Sequence, residues 1–291
     1  MSATGSTHDS TAPTAAISWR HRLVAAYCRA AEHPGKLRLL GWLRGLLGVR
    51  AVRTEVLPGV VMELDDADYV QREILFSGGY ELATLQLFDR LLANARGCLD
   101  IGGHHGQYTL RAARSLAARG GRVFTFEPTP ANAAALLRNA TLSGLSNIDL
   151  CSAALSDAPA ILRMVQPHAA NTGASRLASS TSAPAEGRSV YVAVRPFSDF
   201  VATIAPGAFD LVKIDVEGHE ARVLASLFAS TAPRPRHIIL EYTPADFDYG
   251  LPEGLPAWLE HHGYVVHDVT GAPFSASQPL PDSNLWAELR R

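Results

Sequence analysis

The sequence predicts an α/β fold: an open, doubly wound, largely parallel sheet with helices on both faces, preceded by a helical and hairpin extension. Three observations carry this. From about residue 80 onward, short apolar runs alternate with helical patterns. One run, Cys98-Leu99-Asp100-Ile101, ends in an acid and opens through Gly102-Gly103-His104-His105-Gly106 into an alanine-rich helix. A third run, 211–216, is apolar apart from Lys213 and Asp215, as a central strand buried on both faces would be.

Residues 1–16 are mostly Ser, Thr, Ala and Pro and read as a disordered tail. An N-terminal extension is expected over 17–78. Helical spacing of apolar residues (Leu23, Tyr27; Leu39, Leu40, Trp42, Leu46) predicts helices over 17–32 and 36–47. They pack on the main domain, make a dimer contact or cover the substrate site. Strands 52–56 and 60–64 flank Leu57-Pro58-Gly59, a hairpin signature. Asp65 or Asp66 is expected to cap a helix carrying Tyr69, Val70 and Ile74, which Gly78-Gly79 break.

The main domain is expected over 79–291. Helix 80–95, with Leu82, Leu85, Phe88 and Leu92 on one face, leads into the first strand. Strands then follow at 122–126, 147–151, 161–164, 190–194, 211–216, 237–240, 264–269 and 285–289. Helices fall at 130–140, 220–228 and 257–262. The stretch 167–187, rich in Ser, Ala, Gly and Thr, has little to bury.

With 291 residues, 47% hydrophobic and 19% charged, the chain reads as one large soluble α/β domain plus an extension. A formal net charge of −2 makes no electrostatic case for nucleic acid or an anionic membrane. The three cysteines (Cys28, Cys98, Cys151) are far apart, lack zinc spacing and read as buried free thiols of a reducing compartment. No apolar run approaches the ~20 residues that span a bilayer, and no signal-peptide layout is present, so a cytoplasmic location is expected.

The turn reads D-x-G-x-x-x-G and lacks the middle glycine of the dinucleotide fingerprint G-x-G-x-x-G. That disfavours pyrophosphate on the helix N-terminus. It favours a ligand with an adenosine end and no phosphate, of which S-adenosylmethionine (SAM) is the commonest. Asp100 and Glu127 end adjacent strands, 27 residues apart, and Glu127 in Phe126-Glu127-Pro128 suits a ribose. His104 or His105 would meet the ligand's amino-acid end.

The second dense stretch is Asp210 to Glu220. Period-two spacing puts Lys213, Asp215 and Glu217 on one face of the strand and its exit. A lysine inside an apolar strand needs a carboxylate partner, a role that structure alone would justify. His219, in the first turn of the next helix, would stay neutral and serve as a base near pH 7, with Asp215 orienting it or binding the SAM amino group. Asp215, Glu217 and Glu241 also form an oxygen set that would suit Mg²⁺, although the spacing does not require a metal.

At these residues the chain resembles the FkbM-type SAM-dependent methyltransferases. The likeness runs from about Tyr69 to Ala287. It rests on Gly79-Tyr80-Glu81, the Asp100–Gly106 turn, Phe126-Glu127-Pro128, Leu155-Ser156-Asp157 and, above all, Val212-Lys213-Ile214-Asp215-Val216-Glu217-Gly218-His219-Glu220. In the turn the family usually has Gly-Ala-Asn-(Ile/Val)-Gly, where this chain has two histidines. The resemblance implies a Rossmann-like, seven-stranded class I methyltransferase sheet with an antiparallel last hairpin. It also implies O-methylation of a sugar, glycan or polyketide-type hydroxyl. The SAM site would comprise Tyr80, Glu81, Asp100, Gly102, Gly103, His104, Gly106, Tyr108, Glu127, Pro128, Ala154 and Asp215. His219 and Asp215 would be the catalytic pair. Segment 167–187 would be the variable loop, expected to close over the acceptor. The rivals are a Mg²⁺-dependent sugar O-methyltransferase using Asp215, Glu217 and Glu241, and a non-catalytic partner protein of the same fold. The expected partner is a small-molecule or glycan acceptor, without nucleic acid or membrane; a homodimer is compatible with the sequence.

Overall fold

The computed structural model describes residues 15–166, 176–177, 188–204 and 209–290. Residues 1–14 of the expected tail and nearly all of the expected loop 167–187 lie outside the described residues. At Ala15 the backbone is held against the main domain, its amide donating to the Leu142 carbonyl (2.9 Å).

The extension comprises α1 (Trp19–Cys28), α2 (Lys36–Leu47), the hairpin β1 (Val52–Leu57) and β2 (Val60–Leu64), and α3 (Tyr69–Ser77). The helix cap differs from the sequence reading. Asp68, not Asp65 or Asp66, caps α3 by accepting from the Gln71 amide (3.0 Å), while Asp65 and Asp66 pair with Arg44. Next come α4 (Leu82–Leu92), β3 (Cys98–Ile101), α5 (Gln107–Ala117), β4 (Val123–Phe126), α6 (Pro130–Leu142) and β5 (Ile148–Cys151). Helix α4 starts two residues later than expected because Glu81 is left-handed (φ 57°). This leaves Leu82 exposed rather than on the inner face.

The rest of the chain is β6 (Ala154–Leu155), β7 (Ala160–Gln166), β8 (Arg176–Leu177), β9 (Arg188–Arg195), α7 (Ser198–Val201), β10 (Leu211–Ile214), α8 (Glu220–Ala229), β11 (His237–Glu241), α9 (Leu255–His261), β12 (Tyr264–Asp268) and β13 (Asn284–Leu289). Seven strands form the main sheet in the order β12-β13-β11-β10-β3-β4-β5. Neighbours from β11 to β5 pair in parallel, and β13 is antiparallel to both β11 and β12. The doubly wound expectation therefore holds with an antiparallel strand inserted near one edge. Strands β7 and β9 are not members of this sheet, contrary to a simple alternation. They form a separate four-stranded sheet with β6 and β8, and leave Ile161 and Tyr191 in solvent.

Alternate residues of the central strands feed two cores. Cys98, Leu211 and Ile239 join the cluster that contains Phe88, Leu110 and Leu116. Leu99, Val212 and Ile238 join the one that contains Val223, Leu224 and Leu259 on the other face. The extension belongs to the first cluster through Val24, Leu40, Val52, Met62 and Ile74, so it shares one core with α4 and α5. Each such fully buried aliphatic side chain contributes roughly 1.5–3 kcal/mol. Asn139 of α6 and Ser143, its C-cap, also accept from the amides of Glu63 and Val61 on β2 (2.9 Å each). Cys28 and Cys98 are buried and Cys151 is half-buried, all as free thiols. No described helix is long and apolar enough to cross a membrane.

The chain leaves β3 toward β5 on one side and later resumes from β10 toward β11 on the other. The β3/β10 boundary is therefore the topological switch point, where open sheets form a crevice at their carboxyl ends.

Candidate active site

The glycine turn after β3 builds the first wall of that crevice. Gly102 has φ +95°, and a Cβ there would run into the Asp215 carbonyl; at Gly103 it would meet the Thr125 hydroxyl. The amides of Gly102 and Gly103 both donate to the Phe126 carbonyl (2.9 and 3.1 Å). Glu127, 4% exposed, clamps the turn to the next helix: Oε2 accepts from the His104 amide (2.9 Å) and Oε1 from the Thr129 amide (2.8 Å). Burial pushes its carboxyl above the usual range. Asp100 lies deeper, accepts the Thr109 hydroxyl (2.5 Å) and is raised to about 6 by burial. Asp100 and Gly106 are the two residues expected at the cofactor that do not line the crevice. They brace the turn from beneath, with Gly106 as the N-cap of α5.

The two histidines of the turn are keyed to the extension. Gln71 Nε2 is 3.0 Å from His105 Nε2, and His105 Nδ1 is 3.0 Å from His104 Nδ1. The amide nitrogen can only donate, so the His105 proton sits on Nδ1 and passes to His104 as a hydrogen bond. Burial holds His104 down to about 4 and His105 to about 3, so both are neutral. Asn139 secures the same loop by donating to the His105 carbonyl (3.0 Å). Sequence reasoning missed Gln71 and Asn139, since nothing local to either points at a turn more than 30 residues away.

The second wall is charged. Lys213, fully buried, donates to Asp215 Oδ2 and Asn284 Oδ1 (3.1 Å each). Burial opposes its charge, but Asp215 and Glu81 outweigh burial and hold it above the ordinary lysine range. Tyr108 donates to Glu81 Oε2 (2.8 Å), and burial raises the Glu81 carboxyl. The expected carboxylate partner of Lys213 is thus Asp215, supported by Asn284 and Glu81. Asp215, Glu217 and Glu241 bring oxygens within 4.8 Å of one another. Burial, then Asp215 and Glu217, push Glu241 up to about 9, and its Oε2 has no partner among the described residues. Glu220, raised to about 7 by burial, accepts the amides of Val216 and Gly218 and ties off the loop (3.1 and 3.2 Å).

His219 is the N-cap of α8 and lines the same crevice as Tyr80, Glu127, Pro128, Ala154 and Asp215. Its Nε2 lies 2.9 Å from Ser156 Oγ, Ser156 donates to Asp157 Oδ1 (3.0 Å), and Arg222 Nη1 holds both Asp157 oxygens (3.1 Å). Because Ser156 gives its one proton to Asp157, His219 Nε2 must be the donor and Nδ1 the acceptor. Burial, then Arg222, lower the imidazole to about 4. The sequence paired His219 with Asp215. The structure gives the imidazole to Ser156 and Asp215 to Lys213. Ser156 stood in a family-like motif without a role, because its partner is 63 residues away.

The family described as "Methyltransferase FkbM domain" matches residues 100–266, from β3 into β12. The chain belongs to the FkbM methyltransferase family. This FkbM chain is 31% identical over 193 residues to the "31-O-demethyl-FK506 methyltransferase FkbM" of Streptomyces tacrolimicus, a match covering 57% of this chain and 72% of that protein. Among solved structures it is similar to "Methyltransferase FkbM" from Methylobacillus flagellatus (15% identity, TM-score 0.39, 92% of this chain and 58% of that one). It is also similar to "Precorrin-6y C5,15-methyltransferase" from Geobacter metallireducens (16%, TM-score 0.43, 73% and 89%). As an FkbM methyltransferase the protein is SAM-dependent. Its sheet has the seven strands and antiparallel final hairpin that the resemblance implied.

Proposed function

We propose that the chain is a SAM-dependent O-methyltransferase acting on a hydroxyl of a sugar, glycan or polyketide-type natural product. The observation that carries this reading is His219, a neutral imidazole whose Nε2 proton is committed to Ser156 and whose Nδ1 is the acceptor, on the wall of a crevice shared with Glu127. The FkbM relative, whose name describes methylation at an oxygen, supports a hydroxyl acceptor.

The residues present suit the cofactor. Glu127 accepts the His104 and Thr129 amides from the turn side, with the Thr129 and Asn132 side chains also on its carboxylate, and its crevice-facing edge would accept from ribose hydroxyls. Pro128 and Ala154 offer apolar surface to the adenine end. Tyr80, Glu81, the backbone of Gly102–His104 and Asp215 would hold the amino-acid end, where acids balance an ammonium. Bound SAM supplies a methyl group made electrophilic by its sulfonium. The chain's own task is to hold the acceptor hydroxyl in line with that methyl and to receive the hydroxyl proton at His219 Nδ1. Replacement His219→Ala is expected to lower kcat ~10²-fold or more while SAM affinity by calorimetry is unchanged. Full turnover in that variant removes His219 from the reaction.

The three acids within 4.8 Å favour a second reading, in which Mg²⁺ holds the acceptor hydroxyl. Asp215 already has a cation 3.1 Å away in Lys213, which makes the base reading the stronger. Activity that survives EDTA is the expected result. Loss on chelation, restored by Mg²⁺, would replace it with the metal reading.

A further inference from the structure

Helices α1 and α2 are apolar on two sides. One side enters the core through Val24, Cys28 and Leu40. The other is in solvent: Trp19 and Leu23 one turn apart on α1, and Leu39, Trp42 and Leu46 along one ridge of α2. Trp19, Trp42 and Leu46 are 63–66% exposed. The two helices lie antiparallel, with Arg20 of α1 donating to the Leu47 carbonyl (3.4 Å) at one end and Tyr27 to the Lys36 carbonyl at the other. Each exposed tryptophan has an exposed arginine as a helical neighbour, Arg22 three residues from Trp19 and Arg38 four residues from Trp42. Of the eight Lys or Arg in residues 17–53, Lys36, Arg44 and Arg53 pair with Glu32, with Asp65 and Asp66, and with Glu63, whereas Arg20, Arg22 and Arg38 are in no ion pair among the described residues.

We propose that this face docks on an anionic lipid surface, with Trp19, Trp42 and Leu46 in the headgroup boundary and Arg20, Arg22 and Arg38 on lipid phosphates. The charge decides the occupant. A second copy would bring the same cations against each other, which disfavours self-association. A nucleic acid backbone would satisfy the arginines and leave the tryptophan and leucine side chains in water. A bilayer interface accepts both, since aromatic rings and arginines settle at headgroup level.

The test is co-sedimentation of the full chain with vesicles of phosphatidylcholine alone and of phosphatidylcholine with phosphatidylglycerol. Binding to the anionic vesicles only, weakened by salt, is expected. Arg22→Glu with Arg38→Glu should lower the partition coefficient at least about fivefold per site, and Trp42→Ser with Leu46→Ser should lower it comparably. Unchanged SAM-induced thermal shifts will show that the variants remain folded. No sedimentation at low salt, equal binding to neutral vesicles, or variants that bind as the parent does would overturn the proposal. So would a dimer by light scattering that Trp42→Ser dissociates, or retention on polyglutamate without retention on vesicles.

Discussion

The two walls of the crevice solve the same problem in opposite ways. Around Gly102–Gly106 every described acid is answered: Asp100 by Thr109, Glu127 by two backbone amides. Across from it, Asp215, Glu217 and Glu241 crowd one buried ammonium, and Glu241 gives up its charge instead. The first wall has its acids hydrogen-bonded within the turn. The second keeps carboxylates that are not fully paired, as suits a wall facing a cationic sulfonium.

The sharpest way to break this comparison is to remove the ammonium. Lys213→Met should cost about 3 kcal/mol, roughly 6–12 °C in Tm, because Asp215 and Glu81 then face each other without a cation. An unchanged melt would mean that the charged wall is already neutral. On the opposite wall, Glu127→Ala should cost about 1–3 kcal/mol for the two amides left unpaired, and weaken SAM binding about tenfold or more by calorimetry. In this variant kcat at saturating SAM should stay near the parent's, the reverse of His219→Ala. A fall in kcat alone would erase the division of labour. A third test uses pH, on Glu241. Its folded value of about 9 against 4.5 unfolded means the native state holds a proton that the unfolded chain releases, so stability declines as pH rises from about 4.5 to 9. Thermal melts of Glu241→Gln should show a flatter decline across that range and a higher Tm near pH 8. Parallel curves for the two proteins would show that Glu241 is ionised.

Much of this was legible locally. An apolar run ending in an acid is a self-contained signal, and it located Asp100, Glu127, Asp215 and Glu241 at their strand ends. What depends on partners far along the chain was not. Three aspartates within four residues obscured which one capped α3; only the backbone, extended at Asp68, decides. Strands β7 and β9 have the alternation of any half-buried strand, and nothing local says that they pair with each other rather than with the main sheet. The Ser156 contact of His219 and the Gln71 contact of His105 are likewise tertiary. The family's asparagine in the turn is replaced here by a histidine whose neighbour reaches a different helix, a relation that composition cannot express.

Gly102 carries a consequence for how this enzyme class can diversify. Its missing side chain lets the backbone after β3 touch the backbone after β10, with the Asp215 amide donating to the Ile101 carbonyl at 2.9 Å. The gap between the glycine turn and the loop that carries Asp215 is therefore gauged by main chain against main chain. Side chains elsewhere around the mouth can be exchanged without resetting that ruler, so new acceptors can be recruited by altering the rim while the line of transfer stays where it is.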